Sequence, residues 1–307
     1  MDRIDAMKVF VAALDEGSLA GAGRRLGKSP AAVSRAIVFL EHHVGVELIH
    51  RTTRSLRLSE AGERYLAACR RMLTDLEEAD IIAAGERSAP RGLLTITAPV
   101  AEGEEILRPI IDAFLDAYPA VNIRLTFLDR PANLIDEGID LAFRFAHLAD
   151  STLIATRVGE VRRVVAAAPR YLDQHPVIRE PADLAHHQII AKTHFGFDHW
   201  SFPPLDGSAL ARTVHFSPRF IVNSIRAAVD SAVAGRGVVR LFSNHIADQV
   251  ENGSLRILLA SDEHPPLPVH LIAPQGRLQV PKVRAFADFA VPRLKAELAR
   301  LSSATSK

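Results

Sequence analysis

The sequence predicts an α/β protein preceded by a separate all-helical segment of about ninety residues. Up to residue 83 the apolar residues recur at the three-and-four spacing of amphipathic helices. The following stretch "GERSAPRG", residues 85–92, has the glycine, serine and proline content of a linker. Beyond it, strand-like apolar runs alternate with helical segments. This alternation predicts βαβ units and a sheet of mostly parallel strands.

Length and composition limit the class of protein. A chain of 307 residues suggests about two domains. With 48% hydrophobic and 24% charged residues, the composition is that of a globular chain and excludes a disordered one. The formal net charge is only +1, so a polyanionic partner has to be argued from local charge. Residues 1–58 carry nine basic against six acidic side chains, a local net charge of +3.

Cysteine use and hydropathy predict a cytoplasmic location. Cys69 is the only cysteine, which excludes an internal disulfide and a cysteine-built zinc site. Acidic Asp2 and Asp5 lie at the N-terminus, without the apolar run of a secretory signal. No later stretch approaches the roughly 18 apolar residues of a membrane span. We therefore expect no membrane association.

Three capped helices are expected in the N-terminal segment. The first covers about residues 4–16 and stops at a glycine. Ser18 caps a second helix that ends at Gly27. Ser29 followed by Pro30 is typical of the N-cap and first turn of a third helix. The short turn "LGKSP" between the second and third helices is what a helix-turn-helix requires.

The same turn offers a competing interpretation, because Gly27-Lys28-Ser29 has the ending of a nucleotide-binding P-loop. A P-loop needs four residues between its first glycine and the Gly-Lys-Ser ending, and Ala22 occupies the place of that first glycine. It also needs a preceding strand, whereas the preceding residues have helical spacing. The sequence therefore excludes the P-loop interpretation.

The third helix has one apolar face and one face suited to reading DNA. Arg35 can contact phosphate or the acceptor edge of guanine, and Ser34 can donate or accept. Pro30 and Ala31 can contact a thymine methyl group. The following "VELIHRTTRSLRLS" predicts a two-stranded wing whose arginines bind flanking phosphates, the alternative being a solvated charged face. The predicted DNA-contacting residues are Ser29, Pro30, Ala31, Ser34, Arg35, Arg51, Thr53 and Arg54.

A fourth helix begins near Ser59 and carries an apolar stripe at heptad spacing. The stripe comprises Tyr65, Cys69, Met72, Leu76, Ala79 and Ala83, widened by Leu66 and Leu73. This spacing indicates a coiled-coil seam that pairs two copies of the chain, with Cys69 as an apolar seam residue. The alternative is an amphipathic helix packed against its own domain.

The stretch "GSLAGAGRRLGKSPAAVSRAIVFLEHHVGVELIHRTTRSLRLSEAGERYLAACRRML" resembles the LysR-type transcriptional regulators almost position by position. The resemblance implies a winged helix-turn-helix domain at residues 1–58, a dimerising linker helix at 59–87 and a hinge at 88–92. Gly23 departs from the alanine that the family usually has there. On helix propensity alone, this glycine weakens the second helix by about 1 kcal/mol.

The C-terminal part resembles the same family through "NLIDEGIDLAFRF", "LADSTLIATRVGEVRRVVAAAPRYL", "AVAGRGVVRL" and "APQGRLQVPKVRAFADF". The resemblance implies a two-lobed, periplasmic-binding-protein-like effector domain at 93–307. Strand order places lobe I at about 93–163 and 268–301, and lobe II at about 164–267. The family also implies a small-molecule effector between the lobes and a homotetramer built from two kinds of homodimer.

Open parallel sheets bind ligands beyond the carboxyl ends of their strands, which selects the candidate effector residues. Glu102 allows two interpretations: a surface acid that stabilises the helix start, which we favour, or a cleft residue that disfavours a carboxylate ligand. Asn223 and Phe242 match family positions at the cleft, and "KTHFGFDHW" has the aromatic content of a pocket, the alternative being core. The candidates are Val100, Ala101, Glu102, Arg144, His147, His194, Phe195, Trp200, Asn223 and Phe242.

Enzymatic and metal-dependent functions lack their sequence motifs. The thirteen histidines include no H-E-x-x-H arrangement, and no G-x-S-x-G elbow is present. We therefore expect no catalytic residues, no metal and no cofactor. The favoured function is an effector-responsive transcriptional regulator that binds a dyad in double-stranded DNA. The alternative is a small-molecule binding protein of the periplasmic class without a DNA function.

Overall fold

The computed structural model describes residues 1–51, 56–83, 89–146, 153–193, 197–204 and 210–305. The chain divides into two compact units, Met1–Ser88 and Ala89–Lys307. Each unit has its own hydrophobic core.

The first unit is a helical domain with a small antiparallel ribbon. Its elements are α1 (Arg3–Asp15), α2 (Leu19–Leu26), α3 (Pro30–Val44), β1 (Ile49–Arg51), β2 (Leu56–Leu58) and α4 (Glu60–Ala83). Phe10 of α1 is fully buried, together with Val33, Ile37 and Leu40 of α3. Packing of α1 against α2, α3 and the start of α4 thus fixes the position of α3.

The first lobe of the second unit is built on a five-stranded sheet with the order β4-β3-β5-β14-β6. Its elements up to the crossover are β3 (Gly92–Ala98), α5 (Val100–Glu102), a π-helical turn (Gly103–Leu107), α6 (Arg108–Ala117), β4 (Val121–Phe127), β5 (Leu141–Phe145) and β6 (Leu153–Val161). The chain returns to this lobe with β14 (Leu267–Pro274) and α10 (Pro281–Ala304).

The second lobe contains a sheet with the order β11-β8-β12-β7-β13, and a hairpin of β9 and β10. Its elements are β7 (Arg163–Ala167), α7 (Pro169–Leu172), β8 (Ile189–Lys192), β9 (His199–Phe202), β10 (Arg212–His215), β11 (Phe220–Val222), α8 (Ile225–Val233), β12 (Val238–Phe242), α9 (Ala247–Glu251) and β13 (Arg256–Leu258). A 3₁₀ turn, Ser243–Ile246, connects β12 to α9.

The expectation of mostly parallel strands is wrong. In each five-stranded sheet two strand pairs are parallel and two are antiparallel. The antiparallel pairs arise where the chain changes lobe. Arg162 connects β6 of the first lobe directly to β7 of the second, and β14 returns the chain to the first lobe. Strand β7 runs antiparallel to β12 and β13, and β14 runs antiparallel to β5 and β6.

Three strands and one turn also differ from the sequence-based expectation. The helix expected around Leu134 is a turn, because the Asn133 side chain accepts hydrogen bonds from the amides of Ile135 and Asp136 and Gly138 then adopts a positive φ. The sequence patterns also missed β6, β9 and β10, whose residues lack a continuous apolar run. In the described residues, no helix combines the length and apolar character of a membrane-spanning segment.

Candidate functional site

Side-chain caps define the helix-turn-helix in the first unit. Ser18 Oγ accepts a hydrogen bond from the amide of Gly21 at 3.0 Å, at the start of α2. Ser29 Oγ accepts one from the amide of Ala32 at 3.2 Å, at the start of α3. Gly27 ends α2 in the left-handed conformation, with φ +63°. The caps at the two ends of this turn, Gly27 and Ser29, form hydrogen bonds only with residues up to four positions away. The sequence alone therefore determines where α3 begins.

The exposed face of α3 carries the predicted reading residues. Val33, Ile37 and Leu40 are buried, which holds the opposite face towards solvent. On that side Ser29, Pro30, Ala31 and Arg35 are exposed and Ser34 is partly buried. We call these five residues the reading face. The structure therefore brings five of the eight predicted DNA-contacting residues onto one surface.

The wing is an antiparallel ribbon in which Arg51 lies opposite Leu56 and His50 opposite Arg57. Glu41 of α3 anchors it, since its Oε1 accepts hydrogen bonds from the amides of Leu48 at 2.9 Å and Ile49 at 3.1 Å. Thr53, Arg54 and the side chain of Arg51 lie outside the described residues, so their predicted phosphate contacts stay a prediction.

Lys28 in the helix-turn-helix turn pairs within the domain. Its Nζ atom lies 3.0 Å from Oδ2 of Asp5 in α1. Both side chains are partly exposed, and an exposed pair of this kind contributes little to stability. The ammonium group of Lys28 thus binds a carboxylate of α1, whereas a P-loop lysine would bind a phosphate group.

A cavity of about 870 Å³ lies between the two lobes of the second unit. We call it the cleft. From the first lobe it is lined by the start of α5, by residues 128–132 and by the end of β5. From the second lobe it is lined by Lys192, Asn223, Phe242 and His245. All of these residues lie at or just beyond the carboxyl ends of strands β3, β4, β5, β8, β11 and β12, as expected for sheets of this kind.

The helix start at the cleft is already occupied by a carboxylate of the chain. The amide of Val100, the first residue of α5, donates a hydrogen bond to Oδ1 of Asp129 at 3.1 Å. Ala101 lies beside it and also lines the cleft. A ligand carboxylate at the Val100 amide would have to displace Asp129 and would meet its negative charge.

Glu102 is buried and bridges the lobes. Its Oε1 lies 2.8 Å from Nε2 of His245, and the two side chains are 6% and 1% exposed. His245 follows β12 of the second lobe, whereas Glu102 belongs to α5 of the first. The favoured interpretation of Glu102 as a surface acid is therefore wrong, because tertiary packing covers it with the second lobe.

A buried lysine and a half-buried arginine add positive charge to the lining of the cleft. Lys192 is 6% exposed at the end of β8. Burial lowers its pKa, and the negative charges of Asp129 and Glu102 oppose that shift. Arg144 at the end of β5 donates hydrogen bonds to Thr97 Oγ1 and to the carbonyl of Phe143, both at 3.0 Å, and burial lowers its pKa. The lining of the cleft thus contains both acidic and basic side chains, and the rest of its surface is largely apolar.

Aromatic rings join the lobes beside this polar set. The rings of Phe145 in the first lobe and Phe242 in the second stack with centroids 6.2 Å apart. Asn223, just before the N-cap of α8, is exposed at the mouth of the cleft. The geometry therefore suits a small molecule with an apolar body and a few hydrogen-bonding groups.

Family comparisons identify both units. The family model "Bacterial regulatory helix-turn-helix protein, lysR family" matches residues 4–63, and the model "LysR substrate binding domain" matches residues 87–295. The chain belongs to the LysR family. It is a LysR-type DNA-binding transcriptional regulator, with an N-terminal helix-turn-helix followed by a substrate-binding α/β domain for an effector. The resemblance inferred from the sequence is confirmed.

Curated relatives of this LysR-type regulator cover most of its length. An "HTH-type transcriptional regulator" of Xanthomonas campestris is 33% identical over 291 residues, covering 93% of this chain and 84% of the relative. The "HTH-type transcriptional activator AaeR" of Escherichia coli is 29% identical, covering 89% and 87%. An "HTH-type transcriptional repressor" of Pseudomonas aeruginosa is also 29% identical, covering 94% and 91%. A relative named as an activator and one named as a repressor thus have the same sequence identity to this chain.

Solved structures of LysR-type regulators share the fold. CrgA of Neisseria meningitidis has a TM-score of 0.59 and 28% identity, covering 94% of this chain and 98% of that one. Full-length AphB of Vibrio cholerae has a TM-score of 0.58 and 26% identity, covering 95% and 99%.

Of the predicted effector residues, the structure places six along the cleft: Val100, Ala101, Glu102, Arg144, Asn223 and Phe242. Trp200 does not lie there, which corrects the expectation from "KTHFGFDHW". It is 2% exposed and packs edge-on against Phe216 at 5.0 Å, because the β9–β10 hairpin covers one face of the second sheet. His147, His194 and Phe195 lie outside the described residues.

Sequence reasoning missed several polar residues of the cleft, among them Asp129, Lys192 and His245. Asp129 and Lys192 could have been found, since each lies at or just beyond the carboxyl end of a predicted strand. His245 offers no such signal, because the 3₁₀ turn that carries it is positioned by tertiary contacts. Among the described residues, no group of three or more His, Cys, Asp or Glu side chains is arranged to hold a metal ion.

Proposed function

We propose that the reading face of α3 recognises base edges in the major groove of a dyad site. The observation that supports this most is the exposure of Arg35 beside Ser29, Pro30 and Ala31 on a helix anchored by its opposite face. Arginine is the side chain best suited to the guanine acceptor edge, and small apolar residues suit the thymine methyl group. The wing residues Arg51, Thr53 and Arg54 contact flanking phosphates in this proposal.

Two copies of the chain pair through α4 in this proposal, because a dyad needs two reading helices. The exposed side chains Met72 and Leu76 support the pairing. A further pairing of dimers gives the tetramer that the family resemblance implied. In this proposal the protein acts in the cytoplasm, where the DNA is, and has a regulatory and non-enzymatic role. The names of its relatives, which are transcriptional regulators, support that role.

The proposed effector is a neutral or cationic small molecule bound in the cleft. Asp129 already occupies the amide of Val100, and Glu102 contributes a buried carboxyl group. Phe242 and Asn223 contact the ligand from the second lobe, and Arg144 from the first. Binding shifts the relative population of lobe arrangements by the difference in affinity for them.

The deciding experiment is a gel shift and footprint on the DNA between this gene and its divergent neighbour, with Arg35→Ala beside the native chain. We expect salt-sensitive protection of a dyad by the native protein and a loss of about 1–3 kcal/mol in the variant. Arg64→Ala is the matched control, because Arg64 is exposed on α4 and pairs with Glu60 outside the reading face.

Two results would contradict the proposal. Equal loss in Arg35→Ala and Arg64→Ala would show that Arg35 contributes only general charge. Absence of any specific site at every salt concentration, with folding intact, would favour a ligand-binding protein without a DNA function.

A further inference from the structure

A buried arginine in the second lobe meets no acceptor among the residues that the structure describes. Arg240 lies in the middle of β12 and is 5% exposed. Its guanidinium carbon lies 5.0 Å from the ring centroid of Phe202 and 5.8 Å from that of Trp200. Within the described part of the chain, Arg240 contacts these rings and forms neither a hydrogen bond nor an ion pair.

The indole of Trp200, which Arg240 contacts, provides a second buried donor. Nε1 of Trp200 is fully buried and meets no acceptor among the described residues. Both the guanidinium and the indole N–H can only donate. Buried polar groups in folded proteins nearly always have a partner, and an orphaned one commonly marks a bound water or ion. Within the described residues, these two neighbouring side chains therefore both have donors without acceptors, which points to an acceptor bound near them.

The charge around these donors identifies the kind of acceptor. Arg163 on β7 pairs with Phe242 on β12, and Val165 on β7 pairs with Arg240 on β12. Paired residues, and residues two apart on one strand, project from the same face of a sheet. The side chains of Arg163 and Arg240 therefore project from the same face. Burial, and then the positive charge of Arg163, lower the pKa of Arg240 to about 10. No carboxylate of the described residues opposes that shift. An anion would neutralise this uncompensated charge, whereas a water molecule would not.

The site is separate from the effector cleft. Neither Arg240 nor Trp200 lines the cleft, although Phe242, over which Arg163 stacks at 5.7 Å, does. The inference therefore does not depend on what the cleft binds.

We propose that Arg240 and the indole N–H of Trp200 bind a small oxyanion inside the second lobe. A guanidinium fork matches the paired oxygens of a phosphate, sulfate or carboxylate group. The rings of Phe202 and Trp200 hold the fork in place, and Trp200 adds a third donor. The oxyanion is either a free inorganic ion or the carboxylate of a metabolite.

The experiment uses the full-length chain and its only tryptophan, Trp200, as the fluorescent reporter. Phosphate, sulfate and acetate are each titrated at constant ionic strength against chloride, and thermal unfolding is followed in parallel. We expect a saturable change in Trp200 fluorescence with a matching rise in Tm. A response to phosphate and sulfate alone identifies an inorganic ion, and a response that includes acetate identifies a carboxylate ligand.

Variants assign the response to the site. We expect Arg240→Met to weaken binding by about tenfold or more. Arg236→Met is the matched control, because Arg236 is exposed, and it retains the native response. Trp200→Phe keeps a ring against Phe216 and removes only the donor, so it weakens the thermal shift even if Arg240→Met folds poorly.

The proposal is overturned if the native chain and Arg240→Met respond equally, since the effect is then general to salts. It is also overturned if no anion produces a saturable response and Arg240→Met is simply more stable at every concentration. That result would identify Arg240 as an uncompensated buried charge without a ligand.

Discussion

A Cβ atom on Gly23 would lie 2.5 Å from the carbonyl oxygen of Lys28. The amide of Lys28 in turn donates to the carbonyl of Gly23 at 2.8 Å. The turn of the helix-turn-helix therefore passes directly over this position. Helix propensity predicts that the glycine weakens α2, but the structure shows that the close approach requires it.

We predict that Gly23→Ala lowers the stability of the first unit by about 1–3 kcal/mol, although alanine is the better helix former. The backbone oxygen of Lys28 must move, which also displaces Ser29 and weakens DNA binding. Urea unfolding and gel shifts of the variant test this. Ala20→Gly, at an exposed position of the same helix, measures the propensity effect alone, about 1 kcal/mol. A more stable Gly23→Ala protein would contradict the prediction.

At the scale of elements, the apolar stripe of α4 is buried in its first half and exposed further along the helix. Leu66 and Cys69 are buried in the core of the first unit, and Tyr65 and Leu73 pack partly against it. Met72 and Leu76 are instead 50% and 36% exposed in the single chain. The sequence interpretation of Cys69 as a seam residue is therefore wrong, because α1 covers the first half of the stripe. Burial raises the pKa of the Cys69 thiol, which keeps it protonated.

This division predicts opposite effects of two leucine substitutions. Leu76→Glu should dissociate the dimer with little loss of domain stability, because the side chain is exposed without a partner copy. Leu66→Ala should cost about 2–5 kcal/mol of stability, because it removes buried side-chain volume. Analytical ultracentrifugation and thermal unfolding separate the two effects. If Leu76→Glu left the assembly intact, pairing through α4 would be contradicted.

At the scale of the effector unit, the contacts between the lobes include the Glu102–His245 hydrogen bond and the Phe145–Phe242 stack. Both lie at the lining of the cleft. A ligand in the cleft lies against residues of both lobes, so a difference in its affinity for two lobe arrangements would shift their relative populations. The direction of the transcriptional response is not encoded in the shared fold, since an activator and a repressor are equally similar to this chain.

We predict that ligands found by thermal-shift screening of size-matched amines, amides and carboxylates are mainly neutral or cationic. Glu102→Ser should raise affinity for carboxylates by about tenfold, since it removes a buried negative charge. It should also cost about 1–3 kcal/mol of stability by leaving His245 without its partner. Glu104→Ser removes an exposed cleft carboxylate and is the control. An unchanged charge preference in Glu102→Ser would contradict the prediction.

The sequence alone determined the features that depend on near neighbours. Ser18, Gly27 and Ser29 place the ends of α2 and α3 by contacts within three or four residues, so the reading face follows from local spacing. The carboxyl ends of several strands also follow from the sequence, and Val100 and Arg144, which were selected from such ends, line the cleft.

Only the tertiary structure decided which distant residues meet. His245 pairs with Glu102 across 143 positions, and Trp200 is covered because a hairpin folds onto the second sheet. The strand directions follow from the crossover between lobes, which no local pattern records. The physical reason is range: caps and helical faces are set within one or two turns, whereas burial and pairing depend on contacts that exist only after the chain has folded.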